Sequence, residues 1–258
     1  MIAIDLKDKS ILVTGGLGAI ARVTVARLIE AGAFVIVTDI LGEAEGQQAL
    51  EREKLTPSRC EYRTMDVTSS KDVFSIVRSV FEKHPKVDVA IGLAGGCGLH
   101  PFATCSEETF AEILRFNFMG QTYFTRAVLQ EWAHRGRPAH MIYASSWVGS
   151  NPWPDISAYV SAKAALDAFA KCMALEYAKY GIRFNAIAPG HVAAGSSLKV
   201  YETNQQYREQ VDRVIPLKRL VGVGAVADAF VWLASDLASD INGQIIRIDL
   251  GASIPKLA

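Results

Sequence analysis

Tyr159 and Lys163 stand four residues apart in Tyr159-Val160-Ser161-Ala162-Lys163, and Ser146 precedes Tyr159 by thirteen residues. On a helix that spacing puts a phenol and an ammonium on one face, a turn apart. Such a pair suits the oxidation of a secondary alcohol, which needs a base for the hydroxyl proton while hydride leaves for an acceptor. A free phenol, with a pKa of about 10, is a poor base near neutrality. A neighbouring ammonium favours phenolate, and a drop of about three units needs roughly 4 kcal/mol of differential stabilisation. Ser146 would hydrogen-bond the substrate oxygen and fix its angle. The plain alternative is a tyrosine and a lysine on a solvated helix; Ser145-Ser146 at a strand end just ahead of the pair argues against it.

A second group lies near the start. Thr14-Gly15-Gly16-Leu17-Gly18-Ala19-Ile20-Ala21 joins an apolar strand to an apolar helix. Glycines permit the tight turn, and the helix that follows offers free N–H groups to a pyrophosphate. Asp39 comes 24 residues after Gly15, at the end of the next strand. Its carboxylate would accept hydrogen bonds from the adenosine ribose hydroxyls and repel a 2′-phosphate. Neither Ile40, Leu41, Gly16 nor Leu17 supplies a cation to offset that repulsion, so the expected cofactor is NAD. A glycine-rich connection without ligand, and an aspartate capping the next helix, are the competing readings.

These residues must be carried by elements, and the apolar pattern supplies them. Strands are expected over Ser10–Thr14, Phe34–Asp39, 60–66, 88–94, 141–145, 183–188 and 245–249. Helices are expected over 20–31, 43–53, Ser70–Lys83, 107–133, 158–180 and 225–235. Continuously apolar strands alternating with helices predict an α/β fold, one doubly wound seven-stranded parallel sheet covered on both faces. A length of 258 residues suits a single domain over 1–258. The polar, mixed stretch 191–215 fits neither element and has the length of a substrate lid. Lys plus Arg equals Asp plus Glu at 27 each, which gives no reason to expect nucleic acid or an anionic membrane as partner. Cys60, Cys97, Cys105 and Cys172 show no C-x-x-C, and the first residues lack an apolar signal core. A cytoplasmic protein with reduced thiols is the expectation.

In motif order and length the chain resembles the classical short-chain dehydrogenase/reductase family from end to end. The resemblance implies a catalytic set of Asn117, Ser146, Tyr159 and Lys163, with Lys163 also gripping the nicotinamide ribose. It implies cofactor contacts from Gly15, Leu17, Gly18, Ala19, Ile20, Asp39, Ile40, Asp66, Val67, Ala94, Gly95, Tyr159, Lys163, Pro189, Gly190 and Val192. Asp66 and Val67 would flank the adenine, and Asn185-Ala186-Ile187-Ala188-Pro189-Gly190 matches the segment beside the nicotinamide. Asn117 would help hold a water by its backbone; its competing reading is a helix-interior polar residue satisfied by backbone. The chain departs from the family at four places. Ala19 and Ala21 replace glycines of T-G-x-x-x-G-x-G, Gly92-Leu93-Ala94-Gly95 stands for N-N-A-G, and Ala194 stands for a threonine or serine that Ser196 or Ser197 would replace. The last strand, after Asn242-Gly243-Gln244, resembles one that pairs across a subunit interface, implying a homotetramer.

The substrate wall is expected from Gly96, His100, Ser146, Trp147, Trp153, Tyr159 and His191. Aromatic and polar groups together suit a ring with several hydroxyls: a sugar, polyol or sugar lactone. Plain packing accounts for either tryptophan equally well. Neither histidine has metal-ligand spacing, so no metal is expected. The rival functions are a reductase of 3-oxoacyl carriers or cyclic ketones on the same scaffold, and a nucleotide-binding protein without turnover.

Overall fold

The computed structural model describes residues 4–53, 55 and 58–254. Seven parallel strands form one sheet: β1 Ser10–Thr14, β2 Phe34–Asp39, β3 Cys60–Thr64, β4 Val87–Gly92, β5 Ala139–Ala144, β6 Ile182–Pro189 and β7 Ile245–Ile248. Their order is β3-β2-β1-β4-β5-β6-β7. The chain starts in the middle, winds outward to β3, then returns across β1 to build the other half. β1 therefore pairs with β2 on one side and β4 on the other, and the winding direction changes between β1 and β4.

The helices are α1 Ala19–Glu30, α2 Glu43–Arg52, α3 Ser70–Lys83, α4 Glu107–Leu114, α5 Gly120–Arg135, α6 Ser157–Glu176, α7 Gly195–Thr203, α8 Gln205–Val214 and α9 Val223–Ala234. Alternation along the strands feeds two cores. Leu12, Ile36, Ala90 and Met141 face Phe81 of α3, Phe124 and Trp132 of α5 and Leu166 of α6. Their neighbours Ile11, Val13, Val35, Val37 and Ile142 face Val25 and Leu28 of α1 and Phe230 of α9. Both faces of the central strands are covered, which is why β1, β2 and β4 carry apolar runs at their centres. Full burial of each large side chain contributes about 1.5–3 kcal/mol.

Several expected boundaries shift. β3 and β4 stop two residues early, at Thr64 and Gly92, so the segments after them can turn toward the carboxyl edge. The helix expected over 107–133 is broken by a π-helical turn, Arg115–Met119. α6 stops at Glu176, because a short 3₁₀ turn and Gly181 (φ 70°) lead straight into β6. The 191–215 stretch holds two helices. Asn204 caps α8, its side chain accepting from the Tyr207 N–H at 2.9 Å. Among the described residues no helix is long and apolar enough to cross a membrane.

Candidate active site

A cleft of about 770 Å³ opens at the carboxyl ends of the strands, beside the β1/β4 switch point where doubly wound sheets take ligands. Gly15 makes its first wall. Its φ is +63°, and a Cβ there would stand 2.5 Å from the Ala94 Cα. Only glycine lets the β1 turn pass so close to the β4 turn. Gly18 then leads into α1, whose first turn carries no acidic side chain, leaving N–H groups turned to the cleft region. The Ala19 methyl is accommodated: a side chain on Gly195 would meet it at 3.5 Å, so it lies toward the start of α7 rather than in a clash.

Asp39 ends β2 with both oxygens engaged. Oδ2 accepts from the Leu17 N–H at 3.0 Å and Oδ1 from the Ile40 N–H at 2.8 Å. The carboxylate thus ties the glycine turn to β2 and keeps lone pairs for further donors. Asp66 accepts from the N–H and hydroxyl of Thr68 at 2.8 and 2.7 Å.

The β4 turn is held from α5 and the π-turn. Asn117, buried, accepts from the Gly96 N–H at 3.0 Å and donates to the Gly96 and Ile113 carbonyls at 3.0 and 3.1 Å. Its side chain is thus satisfied by backbone, and the Gly96 part of that backbone belongs to the cleft. Gln121 donates to the Ala94 carbonyl at 2.7 Å.

Across the cleft, the Lys163 ammonium donates to the Ala144 carbonyl at 2.8 Å and sits 5.5 Å from the Tyr159 ring centroid. Beneath it on α6, Asp167 accepts a short hydrogen bond from the Ser145 hydroxyl. Burial brings the Lys163 pKa down to about 8, opposed by the charges of Asp167 and Cys97. Tyr159 runs against expectation. Desolvation of the phenol raises its pKa, the neighbouring Cys97 thiol adds to that, and a hydrogen bond with Ser146 opposes it. Burial thus favours the neutral phenol over the phenolate.

The cleft gathers every residue assigned above to the cofactor: Gly15, Leu17, Gly18, Ala19, Ile20, Asp39, Ile40, Asp66, Val67, Ala94, Gly95, Tyr159, Lys163, Pro189, Gly190 and Val192, together with Ser146, Gly96 and Cys97. Ala194, Gly195 and Ser197 close it from α7; the Ser196 side chain lies outside the described residues. Asn117 lines an adjoining hollow with Gly96 and Phe116. The expected substrate wall is different. Trp147, Trp153 and His191 pack on one another at ring-centroid distances of 5.1–5.8 Å and do not line the cleft. Tyr207 of α8 completes the group, its hydroxyl 3.0 Å from His191 Nδ1. Ring against ring satisfies these side chains better than an open cleft would. His100 also lies off the cleft, its ring over Gly98. Tyr207 and Gln121 were missed in the sequence. Tyr207, Val211 and Val214 form an i, i+4, i+7 stripe that marks α8 and would have pointed to the first; nothing in the pattern marks the second.

A doubly wound sheet with a glycine turn and a carboxylate at its switch-point cleft defines a dinucleotide-binding α/β protein. Comparison with known proteins narrows this. Residues 16–253 match the family model described as Enoyl-(Acyl carrier protein) reductase. The short chain dehydrogenase/reductase astE of Aspergillus oryzae is 30% identical over 255 residues, covering 97% of each chain. Glucose 1-dehydrogenase of Gluconobacter oxydans is 30% identical over 249 residues, covering 95% of this chain and 92% of its own. The crystal structure of gox2181 is 28% identical and covers 97% of this chain and 98% of its own, with a TM-score of 0.90. The chain belongs to the short-chain dehydrogenase/reductase family. It is an oxidoreductase, and the family uses nicotinamide cofactors.

Proposed function

We propose that the protein is an NAD-dependent dehydrogenase that moves hydride between the nicotinamide and a secondary alcohol or ketone, with a sugar, polyol or sugar lactone as substrate class. The observation that carries it is one continuous cleft joining Asp39 and the Gly15 turn to Ser146, Tyr159 and Lys163. The glycine cradle and the uncommitted start of α1 fit a pyrophosphate. Asp39, with an exposed Ile40 beside it, fits ribose hydroxyls and disfavours a 2′-phosphate.

When bound, the oxidised nicotinamide supplies the hydride acceptor and a positive charge. The residues here do the rest. Ser146 orients the substrate oxygen, Tyr159 takes or gives its proton, Lys163 grips the ribose and stabilises phenolate, and Asn117 holds the Gly96 turn. A neutral, desolvated Tyr159 already suits the reductive direction, where it gives its proton to a carbonyl oxygen. The carbohydrate reading draws support from the glucose dehydrogenase relative. On this reading the 191–215 lid closes water out, its α8 latched to His191 through Tyr207. A cytoplasmic homotetramer folded as a single domain completes the proposal; every residue of α4 is exposed or half-buried in the isolated chain, which supports a subunit contact there.

Reduced-cofactor absorbance with NAD across sugars, polyols, cyclic alcohols and 3-hydroxyacyl thioesters tests this. Turnover of a sugar or polyol is expected, falling by roughly two to four orders of magnitude in Tyr159→Phe with NAD binding retained. Near-normal turnover by Tyr159→Phe sinks the catalytic assignment. Best activity on an acyl thioester with NADPH moves the protein to the carrier-reductase class.

A further inference from the structure

We propose that Gln121, lodged in space that only a glycine at position 92 leaves open, is a positioning residue for the cofactor-binding turn at 94–96. The inference rests on the reading of the cleft as a nicotinamide dinucleotide site.

Gly92 is the last residue of β4, opposite Thr14 of β1 and Tyr143 of β5. A Cβ at that position would stand 2.0 Å from Gln121 Oε1 and 3.4 Å from Tyr143 Cδ1. The side chain of Gln121 thus occupies the place of a side chain on β4. It is 1% exposed, and its Nε2 donates to the Ala94 carbonyl at 2.7 Å. The Ala94 N–H donates in turn to the Thr14 hydroxyl at 3.3 Å. The Ala94 Cα is the atom that Gly15 must be glycine to admit. One residue is therefore held from α5, from β1 and by contact with the glycine turn. A shift of Ala94 would move the Gly15 turn with it, since the two turns pack directly against each other.

The chemistry of the amide also favours positioning over stability. Among the described residues, Gln121 Oε1 is buried without a hydrogen-bond donor. A buried acceptor left unpaired is disfavoured relative to an apolar group of the same shape. What the apolar group would lack is the donor to Ala94. Asn117, four residues earlier, holds Gly96 in the same manner. The two amides together fix the carbonyls at both ends of the turn.

Gln121→Met keeps the volume and removes the donor. Titration with NADH should then show an affinity about tenfold weaker, the value of one lost hydrogen bond with its acceptor left unpaired. The KM for NAD should rise in parallel, while the KM for the alcohol stays within about twofold. Gly92→Ala should produce the same loss by evicting the Gln121 side chain. Combining it with Gln121→Ala should cost no more than the worse single change, because both act through one contact. A merely structural role would instead lower the melting temperature and kcat without separating the two KM values. Unchanged NADH affinity in Gln121→Met overturns the inference; should that variant fail to fold, unchanged affinity in Gly92→Ala does so. A wild type that binds neither NADH nor NADPH sinks the dinucleotide reading as well, which tells the two failures apart.

Discussion

Lys163 carries a charge in surroundings that resist it, and the consequence reaches stability as well as chemistry. Its folded pKa of about 8 lies below the ordinary 10.5 because burial outweighs the attraction of Asp167 and Cys97. Below about pH 8 both folded and unfolded chains hold the proton, so the burial penalty is present in full. Between about 8 and 10.5 the unfolded chain keeps a proton that the folded chain has released, and stability rises with pH. Lys163→Met should therefore raise the thermal midpoint at neutral pH, by at most about 3 kcal/mol of stability, with the gain vanishing toward pH 10.5. The same variant should lose turnover. A lower midpoint at neutral pH would mean that the hydrogen bond to the Ala144 carbonyl outweighs desolvation. On the proposed role for Lys163, the cleft holds its lysine against the preference of the fold, a trade expected where function sets a residue.

At the scale of elements, Asp39 ties the end of β2 to the turn before α1. A change of cofactor preference must respect that tie. Asp39→Ala with Ile40→Arg should raise NADP affinity relative to NAD while weakening both, since the Leu17 and Ile40 N–H groups lose their acceptor. Asp39→Asn with Ile40→Arg keeps one acceptor and should lose less overall affinity. Titrating both cofactors against both pairs decides it; equal absolute losses would show that the tie to Leu17 is immaterial. Why so much was legible is visible in these elements. β1 and β2 have apolar centres, residues 11–13 and 35–37, and end beside the glycine turn and at Asp39, so the apolar pattern that locates the strands and the motif that marks their ends agree. The aromatic wall was not legible. Trp147, Trp153 and His191 have the composition of a binding surface, but their packing partner, Tyr207, comes from a polar helix whose stripe is only three residues long. The raised Tyr159 pKa was hidden for a related reason: spacing shows a neighbouring charge but not the burial that opposes it.

For the whole molecule, the second half of the sheet is closed by a polar network rather than by apolar contact alone. Asn185 on β6 donates to His140 Nε2 on β5 at 2.8 Å and to the Ile241 carbonyl at 2.8 Å, and accepts from the Gln244 N–H at 2.9 Å ahead of β7. Burial, then the Arg183 charge, pushes the His140 pKa well below 6.5, and burial brings His191 down to about 4. Both rings are neutral when folded, whereas the unfolded chain protonates them as pH falls through 6.5. Their contribution is thus present above pH 6.5 and is lost on acidification. Urea unfolding on either side of that pH should show a drop in midpoint, smaller in His140→Gln than in wild type. An equal drop in both would assign acid sensitivity to other groups.

The π-turn at Arg115–Met119 sets a rule for how this chain can change over time. It holds one more residue than an α-turn, so it slips the phase of the rod it interrupts. Ahead of it the residues of α4 stand exposed or half-buried, while beyond it α5 buries Gly120, Gln121, Phe124, Thr125 and Val128. Each helical residue turns the screw by about 100°. Losing one residue between Asn117 and Gln121 would swing the inward face of α5 off the sheet and leave α4 where it is. Insertions and deletions can therefore accumulate in the loop before α4. The five residues of the slip are closed to them, and a lineage that shortened this turn would have to rebuild both the core beneath α5 and the cofactor turn at once.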